Sequence, residues 1–373
     1  MGPLAGLRVV ELAGIGPAPF CAMLLADLGA DVVRVDRPNS SPVAGPPSRD
    51  LLNRGKRSVM VDLKNDRGAE VVLRLAAKAD VLIEGYRPGV AERLGIGPEQ
   101  CFERNPRLVY GRMTGWGQDG PLAQSAGHDI AYIGITGVLH ALGRAGGPPQ
   151  VPLNLVGDFG GGALYLAVGI LAALRSGKGQ VVDAAIVDGA AHLATMIFGL
   201  VSAGVWQPTR GVNLLDTGAP FYDVYETSDG EYMAVGPLER QFYAEFVRLL
   251  GVRDAPGQFD IPHWPELRKR FAEAFATRTR AEWTAVFEGT DACVAPVLSL
   301  TEAPQHPHIA ERGTLVDKDG MVQPAPAPRF SATPAELTTP PARPGEHTRN
   351  ALADWGFDDI DDLMAHGAVR EQG

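Results

Sequence analysis

Cysteine is scarce: Cys21, Cys101 and Cys293 are the three in 373 residues. They are odd in number, far apart and without metal-ligand spacing. That excludes a disulfide framework and a zinc site and leaves reduced thiols, expected to fill the core. No apolar run stands out as long enough to cross a bilayer, and no basic leader with an apolar stretch and cleavage site opens the sequence. Neither a membrane span nor export is therefore expected, and the setting read from this is cytoplasmic. Hydrophobic residues make up 45% of the chain, enough for one large domain or two ordinary ones.

A net charge of −10 works against nucleic acid as a partner. The charge is uneven, however. From Arg34 to Arg112 there are 15 Lys and Arg against 10 Asp and Glu, a local balance of +5. A positive face on this part of the chain suits a polyanionic small molecule.

Short β-branched runs alternate with helical patterns over the first hundred residues. "LRVVEL", "DVVRVD", "RSVMVDL", "DVLIEGY" and "RLVYGRMT" read as strands, and "PAPFCAMLLADLGA" and "DRGAEVVLRLAAKA" as helices. This is the rhythm of βαβ units around a parallel sheet, so the fold class is α/β. "DFGGGALYLAVGILAALRS" reads as a long apolar helix entered through three glycines, followed by the strand "VVDAAIV". Near residue 215 the pattern changes to a hairpin, "YDVYETSDGEYMAVG", then helices at about 241–250, 265–276 and 281–288. The expected organisation is a large α/β domain over 1–205, a smaller α+β domain over 215–318, and a C-terminal segment over 325–373 that returns to the large domain.

"ELAGIGPAP" invites comparison with a dinucleotide fingerprint, because it follows a strand and opens a helix. The match fails at the third glycine: Gly14 and Gly16 are followed by Pro19, where the motif requires close helix–strand packing. A tight turn that turns backbone N–H groups toward some anion is what remains.

Three polar residues resist explanation by packing. His128, with Asp129, precedes a weak helix carrying Gly134 and Gly137. Asp158 lies between Gly157 and the run Gly160–Gly162, and the structural alternative for it is a helix N-cap. Glu239 stands at the junction of the hairpin and the next helix, an ordinary place for an acid. Together they suggest an imidazole oriented by one carboxylate and faced by another, a set that can take a proton from one side of a carbon and return it to the other.

These residues, in order with "GLRVVELAGIGPAPF", "GADVVRVDRP", "VDLK", "IEGYRPGVAERLG", "RMTGWGQDGP", "GHDIAY", "NLVGDFGGG", "GKGQVVDAAIVDG", "DTGAPFYDVYETSDG" and "GEHTRNAL", resemble the α-methylacyl-CoA racemases of the class III CoA-transferase superfamily over nearly the whole chain. The resemblance implies a large Rossmann-like α/β domain, a smaller domain and an interlocked homodimer. It implies that His128 and Asp158 are the acid/base pair and that Glu239 supports His128, with Arg240 departing from the family's Glu-Pro-Gln-Phe-Tyr pattern. For the coenzyme A part of the substrate it points to Arg37, Val61, Asp62, Leu63, Lys64, Gly85, Tyr86, Arg87 and Arg93. Beside the thioester it points to Gly127, His128, Asp129, Ile130, Ala131 and Tyr132. Neither a metal nor a separate cofactor is implied. The expected reaction is α-proton exchange through an enolate whose oxygen meets backbone N–H groups near Asp129. A CoA transferase with Asp158 as nucleophile is the rival, disfavoured by the imidazole of His128. A non-catalytic acyl-CoA-binding protein ranks below both.

Overall fold

Strand β1 (Arg8–Leu12) buries Val9 on one face and Val10 and Leu12 on the other, as a strand covered from both sides must. The same holds for β2 (Asp31–Asp36), β3 (Lys56–Val61), β4 (Val81–Glu84) and β5 (Val109–Thr114). The computed structural model describes residues 2–38 and 45–372. Its described residues form two compact units. One comprises Met1–Thr136, Leu153–Leu193 and Pro307–Gly373, and the other Gly137–Pro152 and Ala194–His306.

In the first unit β1–β5 and β6 (Gln180–Ala185) pair in parallel in the order β3-β2-β1-β4-β5-β6. The strand Val369–Arg370 adds an antiparallel edge against β3. This is a doubly wound sheet whose order reverses between β1 and β4, which opens a crevice beyond their carboxyl ends. Val10, Leu12, Val33, Val35, Val59 and Tyr110 pack on one side with Val71, Leu75 and Trp355. Val9, Val32, Val81, Ile83 and Val109 pack on the other with helix α1 (Pro17–Asp27) and with Leu166 and Ile170. Each large aliphatic side chain so buried contributes roughly 1.5–3 kcal/mol.

The glycine-rich run behaves differently from a plain helix entrance. Leu155–Ala163 is a π-helical stretch that continues without a break into the α-helix Leu164–Ser176. Wide turns of this kind recur at functional sites. Leu155–Ser176 is long and apolar enough to cross a membrane by length and composition alone, with an 18-residue window of mean hydropathy 1.6, a test that core helices also pass. The expected strand also stops at Ala185, and Ile186–Leu193 is helical because Ile186, Gly189 and Ala190 bury one face.

That helix lies directly on the π-helical stretch. A Cβ on Gly189 would collide with the carbonyl of Gly161, and one on Gly161 would lie 2.6 Å from the Ala190 nitrogen. Gly189→Ala is therefore expected to cost roughly 1–3 kcal/mol, read as a lower urea midpoint at unchanged m-value. An unchanged midpoint would show that the two backbones can part freely.

The second unit holds an antiparallel sheet of Asp223–Glu226, Tyr232–Val235 and Val294–Pro296. The helices Arg240–Leu250, Trp264–Phe275 and Arg280–Phe287 fall where the sequence pattern places them. Phe221, Phe246, Phe271, Phe275 and Trp283 make its core, and Thr279 with Glu282 forms a capping box at the third helix. Cys21 and Cys101 are buried, but Cys293 is exposed, so one of the three thiols does not fill the core. Its backbone carries φ 52, just before the strand Val294–Pro296.

Candidate active site

The carboxyl ends of the parallel strands gather most of the sequence candidates, all within the first unit. Arg37 follows β2, Asp62, Leu63 and Lys64 follow β3, and Gly85, Tyr86 and Arg87 follow β4. Val61 is the last residue of β3 and is buried, while Arg93 closes the short helix Val90–Arg93 and is exposed. Glu84, buried at the end of β4, accepts the Tyr86 N–H at 2.6 Å and lies 3.1 Å from Arg112 Nε. Burial pushes the Glu84 carboxyl up to about 7 against the opposing pull of those partners. Its hydrogen bond fixes the segment that turns Tyr86 toward Arg37, whose charge opposes the upward push that burial gives the phenol.

The local positive balance sorts itself once partners are named. Arg34, Arg54, Lys56, Arg57, Arg67, Arg74, Arg104 and Arg112 all have carboxylate partners. Among the described residues Arg37, Arg49, Lys64, Lys78, Arg87, Arg93 and Arg107 have none; Arg49 and Lys78 donate to backbone carbonyls, and Arg37, Lys64, Arg87 and Arg93 are the cations proposed for coenzyme A. Part of the excess charge thus follows the carboxyl ends of the strands, where a polyphosphate can use it.

Asp158 sits inside the π-helical stretch and caps no helix end, so the capping alternative does not hold. Its Oδ2 accepts from Asn154 Nδ2 at 3.4 Å. A Cβ at Gly16 would lie 3.2 Å from that same oxygen, which places the carboxyl against the first turn of α1. Gly16 takes φ +75, a conformation that favours glycine, so the turn before α1 can pass this close to the acid. Burial raises the pKa of Asp158. The Asn154 hydrogen bond lowers it, the Asp129 charge raises it, and the nearby His128 imidazole lowers it.

His128 and Asp158, 30 positions apart in sequence, are therefore within electrostatic reach of each other. His128 is the exposed N-cap of the helix Asp129–Ile135, with its backbone extended and its side chain left unused by the cap. Asp129 is buried; its Oδ1 accepts the Asp158 N–H at 2.6 Å. Ile130 and Ala131 are exposed, and Tyr132 packs edge-on against Trp116 at 4.7 Å and donates to the Gly127 carbonyl. That bond ties down the residue before His128.

The model of CoA-transferase family III matches residues 4–348. The alpha-methylacyl-CoA racemase of Mus musculus is 47% identical, covering 97% of this chain and 96% of the relative. The alpha-methylacyl-CoA racemase of Homo sapiens is 48% identical, covering 95% and 94%. Among solved structures, a CAIB/BAIF family protein from Brucella suis superposes with TM-score 0.82 at 28% identity, over 95% of this chain and 99% of that one. The chain belongs to CoA-transferase family III.

Glu239 belongs to the second unit, as the exposed N-cap of Arg240–Leu250, and its charge acts on the nearby Cys293 thiol. Arg240 begins that helix without disturbing the extended backbone of Glu239, φ −80 and ψ 146. Asn154 and the carboxylate of Asp129 are contacts that sequence reasoning missed. The Asn154–Asp158 spacing of four is the one signal that could have found the first. Among the described residues no group of three His, Cys, Asp or Glu is arranged to hold a metal ion.

Proposed function

We infer that this family III chain interconverts (R)- and (S)-2-methylacyl-CoA thioesters, an isomerase reaction of lipid metabolism. The observation that carries the reading is that the His128 imidazole lies within electrostatic reach of a half-buried Asp158 carboxyl, whose pKa burial raises. The named racemase relatives support the substrate class.

In one direction His128 accepts the α-proton, and the electron pair of the broken C–H bond moves into the thioester carbonyl to give an enolate. Asp158, protonated, then delivers its proton to the opposite face of that carbon. The reverse direction exchanges the two roles. Backbone N–H groups at the start of Asp129–Ile135 are the proposed donors to the enolate oxygen, where preorganised dipoles have most effect. Glu239 is assigned the support of the imidazolium on the resemblance alone. Arg37, Val61–Lys64, Gly85–Arg87, Arg93 and Gly127–Tyr132 are the proposed coenzyme A and thioester contacts. CoA belongs to the substrate, so no separate cofactor or metal is invoked.

Exposed Leu164, Val168, Leu171 and Leu193 give the first unit an apolar surface that favours a second copy of the chain, in the interlocked manner of the family. Neither nucleic acid nor membrane has a part in the proposed reaction, and a cytoplasmic setting agrees with three free thiols.

The transferase alternative would have the Asp158 carboxylate attack the thioester carbon, expel CoA thiolate and form a mixed anhydride. It gives His128 nothing to do. One epimer of a 2-methylacyl-CoA incubated with the protein in deuterated water, without any acceptor acid, separates the two. Racemisation is expected, with one deuterium entering at the α-carbon. No exchange until a free carboxylate is supplied, followed by CoA transfer, would establish the transferase.

A further inference from the structure

Asp129 enters the reading above only through its backbone, yet its side chain is placed as deliberately as that of Asp158. It is 8% exposed. One oxygen, Oδ1, takes the Asp158 N–H at 2.6 Å, across a sequence separation of 29. The other, Oδ2, is shut off from solvent and has no hydrogen-bond partner among the described residues. A buried carboxylate oxygen left without a partner costs free energy, so some use for it is to be sought. The space around it is also specific: a Cβ on Gly157 would collide with Oδ1 and lie 2.9 Å from Ile133 Cγ2, so glycine before Asp158 is what lets the carboxylate reach that N–H.

We propose that Asp129 is a positioning residue for Asp158. One of its oxygens fixes the Asp158 backbone, and its carboxyl group lies within electrostatic reach of the Asp158 carboxyl. The inference rests on the racemase reading for its catalytic meaning and on the geometry alone for the coupling of the two acids. Burial and the neighbouring Asp129 carboxyl both push the pKa of Asp158 upward, against a single long hydrogen bond from Asn154.

Other titratable groups on the packed elements turn elsewhere. Asp27 of α1 pairs with Arg54, and Cys21 lies with Glu11 and Lys56. In the helix Ile186–Leu193, Asp188 acts on Asp183 and His192 meets Tyr165. Among the described titratable residues, Asp129, His128 and Tyr132 interact electrostatically with Asp158.

Two substitutions divide the roles. Asp129→Asn keeps an oxygen for the Asp158 N–H and removes the charge, whereas Asp129→Ala removes both. Carbon-13 titration of the Asp158 carboxyl, in the full chain without substrate, is expected to show its midpoint moving to lower pH in Asp129→Asn. The limb of the racemisation pH profile that reports Asp158 should move the same way. Asp129→Ala should in addition lose about 10²-fold in kcat with KM nearly unchanged, because the acid is no longer aimed. An Asp158 midpoint unmoved by Asp129→Asn overturns the proposal. A shifted midpoint in a chain that does not racemise would retain the coupling and reject the racemase reading, and racemisation without any shift would do the reverse.

Discussion

His128→Ala and Asp158→Asn are each expected to lower the racemisation kcat by about 10²- to 10⁴-fold, the usual contribution of one positioned acid/base group. The fold should survive both changes. His128 is exposed and its side chain caps nothing, so its truncation should stay within about 0.5 kcal/mol, as for an ordinary surface site. Asp158→Asn keeps the volume and an oxygen for Asn154, and it removes an ionisable group that burial already disfavours in its charged form. Stopped-assay chirality of the recovered thioester, set beside urea unfolding of the same preparations, reads the two effects separately. CoA affinity should change little, because the proposed phosphate contacts come from Arg37, Lys64, Arg87 and Arg93, which both substitutions leave in place. If both variants lose their folded state, the residues serve packing and the proposal fails. If either retains full turnover, the two-base scheme fails.

The strands of the first unit are legible in the sequence because they are buried on both faces and so read as unbroken runs such as Val9–Val10 and Val32–Val33. Their order is not legible. Which strand lies beside β1 depends on contacts between residues far apart, and the reversal between β1 and β4 that opens the crevice shows only in the folded chain. The site divides in the same way. His128 and Asp158 stand out as polar residues amid glycines, yet the hydrogen bond from the Asp158 N–H to Asp129 joins positions with no pattern between them. The glycines after Asp158 suggest a helix entrance with a cap. Close packing of Gly161 against Gly189 instead accompanies a wide π-helical turn that carries the carboxyl inside it. Charge counting finds the cationic region but not its use, because most of those cations are already committed to Asp and Glu partners.

Lys56→Met is expected to destabilise the protein by roughly 3–5 kcal/mol, the cost of leaving one member of a buried ion pair alone. Lys56 Nζ lies 2.6 Å from Glu11 Oε2, and both side chains are 0% exposed, between β3 and β1. Burial pushes the Glu11 carboxyl up and the Lys56 ammonium down, and each charge opposes the shift in the other. The Glu11→Leu/Lys56→Met pair should recover most of the loss, since a well-packed apolar replacement for a buried ion pair is often neutral or better. Activity should not recover in step. Lys56 Nζ also donates to the Pro19 carbonyl at 3.0 Å, in the first turn of α1, and the Gly16 that begins that turn lies against Asp158. The double variant, restored in stability, still lacks this tie, and a turn free to drift by about 1 Å can cost up to about 10²-fold in rate. Urea midpoints of the single and double variants, with kcat measured on the double, test both halves. A single variant as stable as the parent would show that the ion pair is dispensable, and a fully active double variant would show that α1 holds its place without Lys56.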